Sequence, residues 1–203
     1  MTQPMTKIPN YASNPGEVLI PIARAAILSA FGKPYGEAAE DFPWLHEKGA
    51  SFVTLTQNQK LRGCIGTLEA HRPLLIDVKA NANAAAFHDP RFSPLTEQEL
   101  DNTRIEISLL SAMQAIEFSG ERDALKQLQP GIDGIVFEFG RYRSTFLPQV
   151  WEQLPDASVF MAHLKQKAGL QPEFWDEEIK LYRYTVSKWK EKDITKDVEV
   201  LKS

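Results

Sequence analysis

The chain has 203 residues, 43% hydrophobic and 25% charged, with 27 acidic against 23 basic side chains for a net charge of −4. That is the makeup of a folded globular protein with room for one core or two subdomains, and its acidic balance argues against a general nucleic-acid binder, which needs a basic face. A single cysteine excludes an intrachain disulfide framework, and no run of residues approaches a signal peptide or the roughly 20 apolar residues of a membrane span, so a cytoplasmic location without membrane contact is expected.

The first strong pattern is NPGEVLIPIARAAILSAF. Asn14 can cap, Pro15 suits a first turn, and Leu19, Ile22, Ala23, Ala26, Ile27 and Ala30 form one stripe, which predicts a helix over 15–31 closed by Gly32 and Pro34. SFVTLT alternates, QNQK supplies a turn, and LRGCIGT is a second extended run; together they predict an antiparallel hairpin over 51–56 and 61–67. In PLLIDVKANANAAAF the residues Leu75, Val78, Ala82 and Ala85 have helical spacing, and Pro90 ends that helix by disfavouring helical geometry at Asp89.

Thr96 and Glu99 have capping-box spacing. RIEISLL sets Ile105, Ile107 and Leu109 against Arg104, Glu106 and Ser108, as a half-buried strand does. A strand at AIEF, a short helix at ERDALKQL and a second hairpin turning near Gly140 come next. Asp156 caps a late helix that Gly169 stops, EIKLYRYTV reads as a last strand, and the charged residues from 188 read as a tail loose or extended along the surface. Helices and strands mix without regular βαβ alternation. The expected fold class is therefore α+β, with mixed or antiparallel sheets and flanking helices.

Four segments taken in order resemble the AMMECR1-domain family: GASFVTLT with LRGCIGTLEA, AAAFHDPRFSPLTEQEL, IEISLL, and FLPQVWEQLPDASVFMAHLKQKAGLQPEFW. The resemblance runs from about residue 15 to 187. It implies one α+β domain of two subdomains over 15–187, followed by the charged tail 188–203. It further implies a protein similar to the component of the AmmeMemoRadiSam system that is encoded with, or fused to, a Memo-like protein and a radical S-adenosylmethionine protein. No defined reaction comes with the resemblance.

The residues themselves offer several chemistries. Simple strand alternation puts Arg62 and Cys64 on one face, where a guanidinium favours the thiolate or holds an anionic group, while Gly63 and Gly66 leave room for a ligand or another strand. Equally, a free cysteine is among the most buried residue types and strand glycines often mark a bulge. In HDPRF, Asp89 can act in catalysis or orient Arg91, which suits a carboxylate or phosphate, and this loop is expected to border the Cys64 surface. Alternatively both residues only stabilise their own loop.

Glu106 and Ser108 share a strand face and can serve a substrate or simply be solvated. His71 and His88 are the nearest candidates in sequence for a partner of Cys64, and Gln149 of LPQV carries an amide at a strand-to-helix junction. No CxxC, HxH, HExxH, P-loop or dinucleotide fingerprint is present, so neither a metal nor a nucleotide cofactor is expected. Two readings remain. In one, an enzyme component uses Cys64 as nucleophile and Arg62 as anion holder, aided by Asp89 and Arg91, on a small anionic or carbonyl substrate. In the other, a binding module uses the LRGCIG surface to recognise a partner such as the Memo-like protein.

Overall fold

The computed structural model describes residues 14–36 and 38–191. In chain order its elements are α1 Pro15–Ala30, β1 Lys48–Gly49, β2 Ser51–Gln57, β3 Lys60–Gly66, β4 Arg72–Pro73, α2 Leu74–Phe87, β5 Thr103–Leu110, β6 Gln114–Ile116, α3 Glu121–Gln127, β7 Gly134–Phe139, β8 Tyr142–Phe146, α4 Ala157–Lys167, β9 Lys180–Tyr184 and β10 Val186–Lys190. Short 3₁₀ turns lie at Pro43–Leu45, Glu97–Asn102 and Pro148–Glu152. Helices and antiparallel sheets coexist, so the fold is α+β as expected. Two compact units result, one ending at Leu109 and resuming at Ser187, the other Leu110–Val186.

In the first unit the sheet order is β10-β5-β2-β3, which leaves β3 as an edge. Val53, Leu55, Ile105 and Ile107 point from one face into a core with Leu19, Ile22, Ala23 and Ile27 of α1 and Val78, Ala82 and Ala85 of α2. The alanines of α2 allow its backbone to approach the sheet. Gly63 shows how closely, since a Cβ there would lie 2.1 Å from the Ala85 carbonyl oxygen.

The hairpin turn is tight: Asn58 and Gln59 both have positive φ, 49° and 64°, and Gln57 pairs with Lys60. Continued unbroken, that register would pair Leu55 with Arg62 and Val53 with Cys64, turning the cysteine into the core. Instead the register shifts between Leu55 and Thr56, so that Thr56 pairs with Leu61, Leu55 with Gly63 and Thr54 with Cys64. Arg62 is the extra residue of a β-bulge. Because side chains alternate with period two, this one insertion turns Cys64 onto the face opposite the helices.

The segment from 188, expected as a surface tail, begins inside strand β10, which joins β5. Its apolar member explains why: Trp189 packs on the first core, over Gly16, where a Cβ would lie 2.4 Å from the indole. Glu191 closes the strand. Its N–H donates to the Ile105 carbonyl at 2.8 Å, and its carboxylate accepts from Ile105 N–H at 3.1 Å and pairs with the nearly buried Arg24, which also donates to the Thr103 carbonyl at 2.7 Å. Residues 192–203 of the expected tail lie outside the described residues.

The second unit has sheet order β6-β9-β7-β8 and a core of Ile135, Phe137 and Leu181 against Phe160, Met161 and Leu164 of α4. Trp151, from the LPQV turn, stacks on Phe160 at 3.7 Å and donates to the Asp133 carbonyl at 2.7 Å. The expected hairpin about Gly140, the Asp156 cap and the Gly169 stop are all in place. No helix among the described residues is long and apolar enough to cross a membrane.

Candidate functional site

The site grows from the bulge. On the sheet face away from the helices, Cys64 lies across from Thr54, and Thr54 lies across from Glu106. The Thr54 hydroxyl donates to Cys64 Sγ at 3.2 Å, and Glu106 pairs with Lys190 Nζ at 3.2 Å. A polar row thus crosses the four strands at one level. Ser108 shares this face, is nearly buried and sits opposite Phe52.

Cys64 is half-buried and is the free thiol of the chain. Its main-chain groups point off the sheet edge, where a neighbouring strand would otherwise bond. Asp89 and Arg91 take them: Asp89 Oδ2 accepts the Cys64 N–H at 2.8 Å, and Arg91 Nη2 donates to the Cys64 carbonyl at 3.1 Å. One carboxylate and one guanidinium stand in for the C=O and N–H of a missing strand, and they cap an edge that is otherwise open to pairing.

Asp89 reaches that place because Pro90 stops α2, and an Asx turn follows in which Asp89 Oδ1 accepts the Arg91 N–H at 3.1 Å. Its side chain also takes Arg91 Nε at 3.0 Å and Nη2 at 2.7 Å, a forked ion pair. Asp89 is 2% exposed at its side chain and Arg91 is 54% exposed, so the carboxylate lies just beneath its partner. The Arg91 hydrogen bond holds the Asp89 carboxyl well below the usual carboxylate range, against the opposing effect of burial. Arg91 in turn holds its proton more tightly than usual, chiefly through Asp89, with the Cys64 side chain adding to the effect.

These contacts correct the expectations for Arg62. The bulge breaks the alternation, and the Arg62 guanidinium is engaged by Glu99, Nε to Oε1 at 2.8 Å and Nη2 to Oε2 at 3.2 Å. Gln57 Nε2 joins the same carboxylate at 3.2 Å and donates to Thr103 Oγ1 at 3.0 Å, on the side of the sheet that carries the helices. Arg91, not Arg62, is the arginine beside the thiol. Glu99 also completes the expected capping box with Thr96, so the segment from 89 to 99 is fastened to β3 at both ends.

The glycines serve packing. Gly63 makes room for the α2 backbone and Gly66 for the Phe52 ring, to which a Cβ would come within 2.1 Å, so the space expected for a ligand at each is filled by the protein itself. Asp89 has both oxygens committed to donors, which suits a positioning group and leaves no lone pair well placed to take a proton. His88 is exposed just past α2 and His71 Nδ1 lies 2.9 Å from the Glu69 carbonyl, while Gln149 is exposed and belongs to the second unit.

A second polar cluster escaped sequence reading. Asp77, fully buried on α2, accepts from Ser51 N–H at 2.9 Å, Ser51 Oγ at 2.7 Å, Thr67 Oγ1 at 2.6 Å, Arg72 Nε at 2.9 Å and Asn81 Nδ2 at 2.9 Å. It ties the open end of the hairpin to α2. The only sequence signal for it is Asp77 on the apolar face of a predicted helix, an anomaly that asks for buried partners. Among the described residues no group of three or more His, Cys, Asp or Glu side chains is arranged to hold a metal ion.

A family model described as AMMECR1 matches residues 20–189. Protein MJ0810 of Methanocaldococcus jannaschii is 38% identical over 150 residues, covering 71% of this chain and 75% of that protein. Protein SSO0193 of Saccharolobus solfataricus is 39% identical over 177 residues, covering 83% and 78%. The crystal structure of the uncharacterized protein PH0010 from Pyrococcus horikoshii is similar with a TM-score of 0.70 and 35% identity, covering 87% of this chain and 91% of that one.

Proposed function

Because the chain belongs to the AMMECR1 family, we propose that it is the cysteine-bearing component of a multi-protein enzyme system, acting on a small anionic or carbonyl substrate together with a Memo-like protein and a radical S-adenosylmethionine protein. In this reading Cys64 is the nucleophile and Arg91 holds the substrate oxygen. Asp89 is a positioning residue that fixes Arg91, and Thr54 orients the sulfur. The observation that carries the reading is the clamp on Cys64: a half-exposed guanidinium, locked by a carboxylate beneath it, is fastened to the main chain of the residue that bears the thiol. A residue required only to fill the core would need none of this, and a strand without the bulge would have left it facing inward.

The non-catalytic alternative keeps one observation in its favour. The groups beside the sulfur are the Thr54 hydroxyl and the Arg91 guanidinium, neither of which is a base at neutral pH, so the proton acceptor must come from solvent, substrate or partner. That is why a component role is preferred to an autonomous enzyme. Tagged wild-type and Cys64→Ala chains, used to capture partners from the native host and then assayed with them, distinguish the two. Retained capture with lost turnover supports the enzyme component; turnover that survives the substitution supports an adaptor.

A further inference from the structure

A guanidinium has five N–H bonds, and three of those on Arg91 are committed. Nε donates to Asp89 Oδ1 at 3.0 Å, while Nη2 donates to Asp89 Oδ2 at 2.7 Å and to the Cys64 carbonyl at 3.1 Å. The remaining two belong to Nη1, on a side chain that is 54% exposed and lies within hydrogen-bond reach of the Cys64 side chain, so any ligand oxygen they meet sits beside the sulfur. The hydrogens of one amino group diverge, so Nη1 meets a single oxygen. Of the two forked edges that could hold a phosphate or a bidentate carboxylate, Asp89 closes Nε/Nη2, and the Cys64 carbonyl takes the Nη2 hydrogen of the other.

Charge selects further. Asp89 cancels the unit charge of Arg91, and Lys190 answers Glu106 along the same row, so the site has no surplus positive charge for a dianion. A monoanion needs only the one charge-assisted bond that Nη1 can give, and that bond is stronger than the one a neutral carbonyl oxygen would make. Resting on the reading of Cys64 as an accessible thiol, we infer that the ligand bound beside it is a monocarboxylate, held through one oxygen at Arg91 Nη1, and not a phosphate.

Two alkylating reagents of nearly the same size test this on the full-length protein: iodoacetate carries a carboxylate and iodoacetamide does not. In both reactions the sulfur forms a C–S bond as the C–I bond breaks, iodide leaves, and the thiol proton passes to buffer. With one cysteine, intact mass reports the site without ambiguity. The same chain in denaturant gives the intrinsic rate ratio of the two reagents. The native protein should favour iodoacetate by about tenfold over that ratio, as expected for one charged hydrogen bond.

Arg91→Lys should keep part of the preference and Arg91→Gln should lose it. Acetate should slow native alkylation, and inorganic phosphate at equal concentration should not. Since Arg91→Gln strips Asp89 of its partner and can fail to fold, the wild-type ratio and the acetate and phosphate arms decide without it. Reaction with both reagents at the denatured-chain ratio overturns the carboxylate inference while leaving the thiol reading intact, as does protection by phosphate. A native thiol inert to both reagents overturns the inference and the thiol reading together.

Discussion

Asp89 accepts the main-chain N–H of Cys64 at 2.8 Å across 25 residues of sequence, so the turn after α2 and the edge strand β3 are held at the one residue that carries a thiol. Replacing Asp89 with Asn removes the charge that orients Arg91 but keeps an acceptor for the Cys64 N–H. We expect a loss of about 1–2 kcal/mol in unfolding free energy, with iodoacetamide reaction of the native thiol slowed several-fold. Chemical denaturation and native alkylation of Asp89→Asn check both parts; an unchanged alkylation rate would contradict the positioning role.

Gly63 tests the other side of the same strand. A methyl group there meets the Ala85 carbonyl of α2, a main-chain atom that cannot swing aside. Gly63→Ala should cost about 2–3 kcal/mol or more by forcing β3 away from α2. Gly140→Ala, in the second unit at a φ of 54° with nothing near its added Cβ, should cost about 1–2 kcal/mol. Equal melting curves for wild type and Gly63→Ala would contradict the close packing.

Acid should loosen the segment from 89 to 99. Arg62 holds the Glu99 carboxyl down to about 2 from the ordinary 4.5. The folded value lies below the unfolded one, so this stabilisation is present above about pH 4.5 and is lost as the pH falls through about 2. Asp89 is shifted in the same direction and adds to the loss at the acid end. Glu99 is partly solvated, so its contribution near neutral pH should be on the order of 1–2 kcal/mol. The stability difference between wild type and Glu99→Gln should shrink steadily between pH 5 and 2; a constant difference across that window would argue against it.

The elements were largely legible because their signals are local. The Asn14 and Asp156 caps, the Thr96/Glu99 box, the Ile105, Ile107 and Leu109 alternation and the turns near Gly140 and Gly169 are each decided within a few residues. The site was legible in part: the DPRF loop does reach Cys64, and Glu106 does share the row of Thr54. What could not be read was parity. A bulge at Arg62 depends on the fit of β3 to β2 and α2, and it reverses which arginine sits by the thiol. The strand at 186–190 was hidden because Trp189 is isolated among lysines, and it meets β5 only across a long gap in sequence, 86 residues between Ile105 and Glu191.

That strand gives its own prediction. A chain ended at Val186 loses Trp189 from the core and leaves Arg24 nearly buried without Glu191. Removing one member of such a pair costs about 3–5 kcal/mol, so the truncated protein should melt more than about 10 °C lower or fail to fold. Melting within about 2 °C of the full chain would contradict the placement of β10 as part of the first core.

The central claim is that Cys64 is an accessible thiol maintained by its surroundings for chemistry, and the most direct measurement is its alkylation rate in the native protein against the rate of global unfolding. We predict that iodoacetamide modifies Cys64 much faster than the protein unfolds, and that Cys64→Ala changes stability by less than about 1 kcal/mol. Modification no faster than unfolding, with a Cys64→Ala protein that melts several degrees lower, would make Cys64 a packing residue and contradict the account.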